Sequence, residues 1–183
     1  MLSKQPNRRS SKSFVYLYDA VSKKLTKLAD EKVLHPTLSP DGSKIAFVKS
    51  NNLVLYDIAT GSSSNITTDG KWNYVINGNC DWVYEEEFSF TKAFAWSPDN
   101  RYIAYYRFDE SAVKEFTMTN YTGELYPENV TFKYPKVGME NSKVSIHIFD
   151  TKTKKKVDVD RTSDPDGYIP RIKWTNDPSK LCV

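Results

Sequence analysis

Two cysteines in 183 residues, Cys80 and Cys182, are too few for a disulfide framework or for a zinc site built on four cysteines. Histidine is equally scarce. His35 and His147 lie far apart, each without a ligand-like neighbour, so both read as structural, and neither a metal nor another cofactor is expected. An excess of one charge is also missing: 26 basic against 23 acidic side chains leave a net charge of +3, which supplies no domain-wide basic field for nucleic acid. The densest basic run, Lys152–Lys156, is broken by Thr153 and follows a strand-like segment, so it reads as a solvated turn. No apolar run is long enough to suggest a membrane span, and the polar stretch Met1–Ser10 lacks the apolar centre of a signal peptide.

What the chain has in quantity is aromatic side chains. Twelve Tyr, 9 Phe and 4 Trp favour a strand-rich fold, where such side chains fit the pleated surface, and the length is sufficient to bury a core. Internal similarity organises these residues. Pro36–Val48 carries Leu-Ser-Pro-Asp-Gly and aligns with Phe94–Tyr106, which carries Trp-Ser-Pro-Asp-Asn; a weaker copy spans Arg171–Leu181. In the two stronger copies an apolar strand runs into Ser-Pro-Asp followed by Gly or Asn. Proline presets one turn dihedral there and Gly or Asn accepts a positive one, so the chain reverses. Later strands end in a related signature, Tyr56-Asp57, Phe149-Asp150 and, near the start, Tyr18-Asp19.

Four short antiparallel strands per copied unit identify an all-β fold, a fragment of a β-propeller with four-stranded antiparallel blades. Residues 13–28 are expected to form an outer half-blade, 35–68 a complete blade, 93–161 a second blade and 169–183 the start of another. That makes about two complete blades and two half-blades. Residues 71–92, between blades, and 111–143, inside the second, do not fit the repeat; insertions of this kind map to loops at one face, often the binding face.

The first insertion contains Asp81-Trp82-Val83-Tyr84-Glu85-Glu86-Glu87-Phe88, three consecutive carboxylates framed by aromatics. An apolar frame disfavours charge, so the stretch calls for a positive partner. This octapeptide, with Trp96-Ser97-Pro98-Asp99, Arg107-Phe108-Asp109-Glu110 and Tyr134-Pro135-Lys136-Val137-Gly138, resembles the propeller domain of the dipeptidyl peptidase IV family of serine peptidases, over nearly the whole chain. The resemblance implies an eight-bladed propeller capping an α/β-hydrolase domain. Glu86 and Glu87 would grip the free α-amino group of a peptide substrate, and Arg8, with Arg9 beside it, would meet the substrate carbonyl and steady the glutamates. Glu85 receives no task and is expected to be solvated or locally paired. No Gly-x-Ser-x-Gly elbow occurs in the chain, so the catalytic triad is expected on a hydrolase domain outside these residues, and the chain alone is expected to be inactive.

The expected partners are a peptide N-terminus, that hydrolase domain and further copies of the chain, since half-blades leave strand edges open to pairing. Family resemblance implies a periplasmic, secreted or membrane-anchored protein. A tripeptidyl-releasing peptidase and a non-catalytic propeller module are the alternatives.

Overall fold

The computed structural model describes residues 9–122, 125–159 and 167–183. Two strands, β1 (Tyr16–Asp19) and β2 (Lys24–Lys27), form an antiparallel hairpin. Next come β3 (Leu34–Leu38), β4 (Lys44–Lys49), β5 (Asn52–Asp57) and β6 (Ser62–Asn65), paired in sequence order as a four-stranded antiparallel sheet. A short strand β7 (Val75–Asn77) and one helix, α1 (Trp82–Glu87), precede β8 (Phe94–Trp96) and β9 (Tyr102–Asp109). The hairpin β10 (Glu115–Asn120) and β11 (Glu128–Lys133) is a two-stranded sheet of its own. Then follow β12 (Lys143–Asp150), β13 (Lys156–Asp158) and a last pair, β14 (Lys173–Trp174) and β15 (Leu181–Cys182). This all-β arrangement of small antiparallel sheets is that of a β-propeller fragment.

The apolar core is divided between sheets by strand alternation. Along β4, Ile45 and Phe47 face a cluster with Val33, Val54 and Tyr56, while Ala46 and Val48 face Leu53, Leu55, Phe94, Ile103 and Tyr105. Successive side chains of a strand point to opposite faces, so a run such as Ile-Ala-Phe-Val is apolar throughout because both faces are covered. Strand β9 repeats the pattern: Ile103 and Tyr105 serve one cluster, Tyr106 and Phe108 the next, with Ile76, Tyr84 and Ile146.

The turn signatures fold as their chemistry requires. Gly42 and Asn100 both have positive φ, 71° and 65°. In the first turn Ser39 Oγ donates to Asp41 Oδ1 at 2.6 Å and the Ser43 N–H donates to the same oxygen at 2.9 Å. Asp99 accepts from Ser97 Oγ and from the Arg101 N–H in the second. One repeat device has no turn residue to announce it. Trp96 and Trp174 occupy matching positions, and each indole donates to a backbone carbonyl of the preceding unit, Thr37 at 3.3 Å and Ala95 at 3.1 Å.

Neither insertion is merely loop. From residues 71–92, β7 pairs with the far end of β9, alongside β8, and makes the second large sheet five-stranded. The acidic stretch, expected in a loop, is helix α1.

Candidate functional site

Helix α1 begins where Asp81 caps it. The Asp81 backbone is extended and its Oδ1 accepts the Tyr84 N–H at 2.9 Å, satisfying a donor that the first helical turn leaves free. The other carboxylate oxygen accepts Ser142 Oγ at 2.6 Å, which ties the far end of the second insertion to the start of the helix. At the opposite end the Phe88 N–H donates to the Tyr84 carbonyl, and Arg171 Nη2 donates to the Phe88 carbonyl at 2.6 Å.

A helix advances about 100° per residue, so consecutive side chains in this stretch meet different surroundings. Tyr84 is buried, with its ring centroid 4.9 Å from that of Phe88 and 5.0 Å from that of Phe108, and its hydroxyl accepts the Ile169 N–H at 2.8 Å. Glu85 is fully buried at 0% exposure. Glu86 is half-buried and Glu87 is exposed. The three glutamates therefore divide into one that faces inward and two that reach solvent.

The expectation that Glu85 is solvated or locally paired is corrected here. Its Oε1 accepts the backbone N–H groups of Arg9 and Ser10, the latter at 3.0 Å, and its Oε2 accepts Ser10 Oγ at 2.6 Å. These donors lie 75 and 76 positions away along the chain. Burial without hydrogen bonds would be costly for a carboxylate, and the donors of residues 9 and 10 supply them. Among the described residues no side chain hydrogen-bonds or ion-pairs with Glu86 or Glu87. Arg8 lies outside the described residues.

Beside the helix is a cavity lined by Ser10, Trp72, Asp81, Trp82, Glu110 and Lys133, among others. Glu110 is buried at 6% exposure. Burial, reinforced by the neighbouring Asp81 charge and opposed by Lys133, pushes its carboxyl up to about 8. Burial also raises Asp81, against the hydrogen bonds from Ser142 and the Tyr84 N–H. The two histidines make internal contacts. His35 Nε2 donates to Asn79 Oδ1 at 2.7 Å, since the Asn79 amide nitrogen is committed to the Cys80 carbonyl, and burial lowers the His35 pKa. His147 lies between Ser145 and Asp158 and stacks on Tyr105.

The family model described as the dipeptidyl peptidase IV N-terminal region matches residues 2–183. The chain belongs to the dipeptidyl peptidase IV N-terminal region family. Dipeptidyl aminopeptidase B of Saccharomyces cerevisiae is 34% identical over 180 residues, covering 96% of this chain and 20% of its own length. Dipeptidyl peptidase 4 of Sus scrofa is 41% identical over 120 residues, which are 64% of this chain and 16% of that protein. The crystal structure of Porphyromonas gingivalis dipeptidyl peptidase 4 superposes with a TM-score of 0.90 at 43% identity, covering 97% of this chain and 26% of that one. The relatives include proteins named prolyl endopeptidase FAP, 35% identical in the human case over 79% of this chain and 20% of that protein. The chain thus spans about a fifth of the length of the curated relatives it matches, and within this dipeptidyl peptidase IV family it is a propeller portion.

Glu110 and Asp81 were open to view in the sequence, within the segments that carry the family resemblance, but nothing nearby marked them as buried. The signal that could have found Asp81 is its position as a helix cap, which required recognising a helix of six residues.

Proposed function

We propose that this chain is the substrate-recognition portion of a dipeptidyl peptidase IV-like serine exopeptidase, in which Glu86 and Glu87 hold the free α-amino group of a peptide and Arg8 meets the substrate carbonyl. The observation that carries this reading is the pair of neighbouring carboxylates, free of partners among the described residues, on a helix capped at both ends. Adjacent carboxylates repel, and an ammonium bound between them relieves the repulsion through charge-assisted hydrogen bonds. A capped helix holds that anchor at a fixed height. Two extended residues span about 7 Å, so a peptide clamped by its amine presents its second peptide bond to a nucleophile supplied by a hydrolase domain, and dipeptides are released.

The test uses the full-length protein. A dipeptidyl-proline substrate with a free amine is compared with its acetylated form, in wild type and in Glu86→Ala. The anchor requires that acetylation and the mutation each lower kcat/KM by about 30- to 150-fold, the scale of losing a charge-assisted contact of about 2–3 kcal/mol. Equal turnover of the two substrates by wild type rejects the reading. Internal cleavage of blocked peptides would instead favour the endopeptidase activity that the name prolyl endopeptidase FAP states for a relative.

A further inference from the structure

Glu85 stands in the same tripeptide as the two proposed anchors, yet its surroundings suit a different task. It is fully buried, and each of its oxygens is engaged by donors from one short segment: two backbone N–H groups on Oε1 and the Ser10 hydroxyl on Oε2. Ser10 is itself buried at 7% exposure. Two of the three donors belong to the backbone, so the contact is sensitive to the path of the chain more than to the side chains it carries. At 0% exposure, this carboxylate meets protein rather than solvent.

We propose that Glu85 is a positioning residue, which clamps the Arg9–Ser10 backbone onto α1 and thereby fixes that segment beside the anchors Glu86 and Glu87. The proposal rests on the amine-anchor reading for its functional consequence and on the observed hydrogen bonds for its structural one. The three glutamates thus divide the labour by helix rotation. The inward one builds the wall of the site that the outward two occupy, and the wall comes from a segment 75 positions earlier in the chain.

The structural arm of the test is amide hydrogen exchange on the full-length protein. Glu85→Gln keeps the shape but exchanges an acceptor for a donor at one position, and Glu85→Ala removes both acceptors. Exchange at Arg9 and Ser10 should accelerate in the order wild type, Gln, Ala, at least tenfold for Ala, while the β9 amides keep their protection. Unchanged exchange at residues 9 and 10 overturns the clamp. The kinetic arm reads KM against kcat for the free-amine substrate. The clamp requires KM to rise about tenfold in Glu85→Gln and further in Glu85→Ala, with kcat nearly constant, the pattern of lost substrate binding. A fall in kcat at unchanged KM overturns the positioning role.

Ser10→Ala supplies a milder variant that leaves the backbone donors in place. It should shift KM in the same direction, and its effect combined with Glu85→Gln should be less than the product of the two, because both act on one contact. Independent, multiplicative effects count against the clamp. Failure of the two readings is distinguishable: an active Glu86→Ala removes the amine anchor, whereas an inactive Glu86→Ala with unaltered KM in Glu85→Gln removes only the positioning role.

Discussion

The exposed aspartates of the blade turns and the buried acids around α1 carry the same functional group under opposite regimes. Asp41 stands in water at the tip of a turn, and hydrogen bonds from Ser39 first, then from Ser43, bring its carboxyl down to about 2. Asp177, in the third repeat, is brought down to about 2 by Lys180 and Ser179. Every donor lies within three positions of its acceptor. Around α1 the donors and neighbours come from far along the chain: Ser142 meets Asp81, and Ser10 meets Glu85. Glu110, which has burial rather than donors around it, is pushed up to about 8. Turn acids are thus a local device that can be copied from blade to blade. The acids of the insertion depend on the assembled fold and occur once.

Three substitutions break or sharpen that contrast. Asp81→Ala should have the largest effect, because it strips the cap from α1 and strands both the Tyr84 N–H and the Ser142 hydroxyl; a loss of about 2–3 kcal/mol in chemical denaturation is expected. Glu110→Gln comes next and should stabilise at alkaline pH. A carboxyl raised in the folded state holds its proton more tightly there than in the unfolded chain. Its contribution is therefore complete below the ordinary value of 4.5 and is lost as pH rises through about 8. Wild type should lose stability between pH 5 and pH 8, by about 1–2 kcal/mol once relaxation of the cavity is allowed for, and thermal melts of the glutamine variant should flatten that slope. Asp41→Asn should have the smallest effect and the opposite pH dependence. A depressed carboxyl stabilises above its ordinary value of 3.8 and ceases to do so as pH falls toward about 2. At neutral pH the melting temperature should move by no more than about 2 °C, the scale of a surface change.

This contrast also explains what could be read from the residues in order. Ser-Pro-Asp-Gly and Ser-Pro-Asp-Asn announce a turn because the groups that make it, Ser39 with Asp41 and Ser97 with Asp99, are neighbours in sequence. The strands flanking them followed from apolar runs, and with them the propeller architecture. Helix α1 was missed because six residues are too few to display a helical period, and its cap is a lone aspartate. Strand β7 was missed because three residues, Val75–Asn77, are too few to show an alternation and their strand partner, the far end of β9, lies about 30 positions on. Glu85 was misjudged for the same reason: its partners are Arg9 and Ser10, and no local pattern links them. Adjacency marked all three glutamates alike, and it was the family resemblance that set Glu86 and Glu87 apart from Glu85.

The contact between Ser10 and Glu85 has a consequence in time as well as in space. During synthesis the residue that will donate emerges 75 positions ahead of the one that will accept. At about 5–20 residues per second, the donor segment waits about 4–15 s for its acceptor, and all four strands of the sheet β3–β6 emerge in that interval. The clamp on Arg9 and Ser10 therefore cannot form until α1 has emerged, later than every strand of the hairpin β1–β2 and the sheet β3–β6.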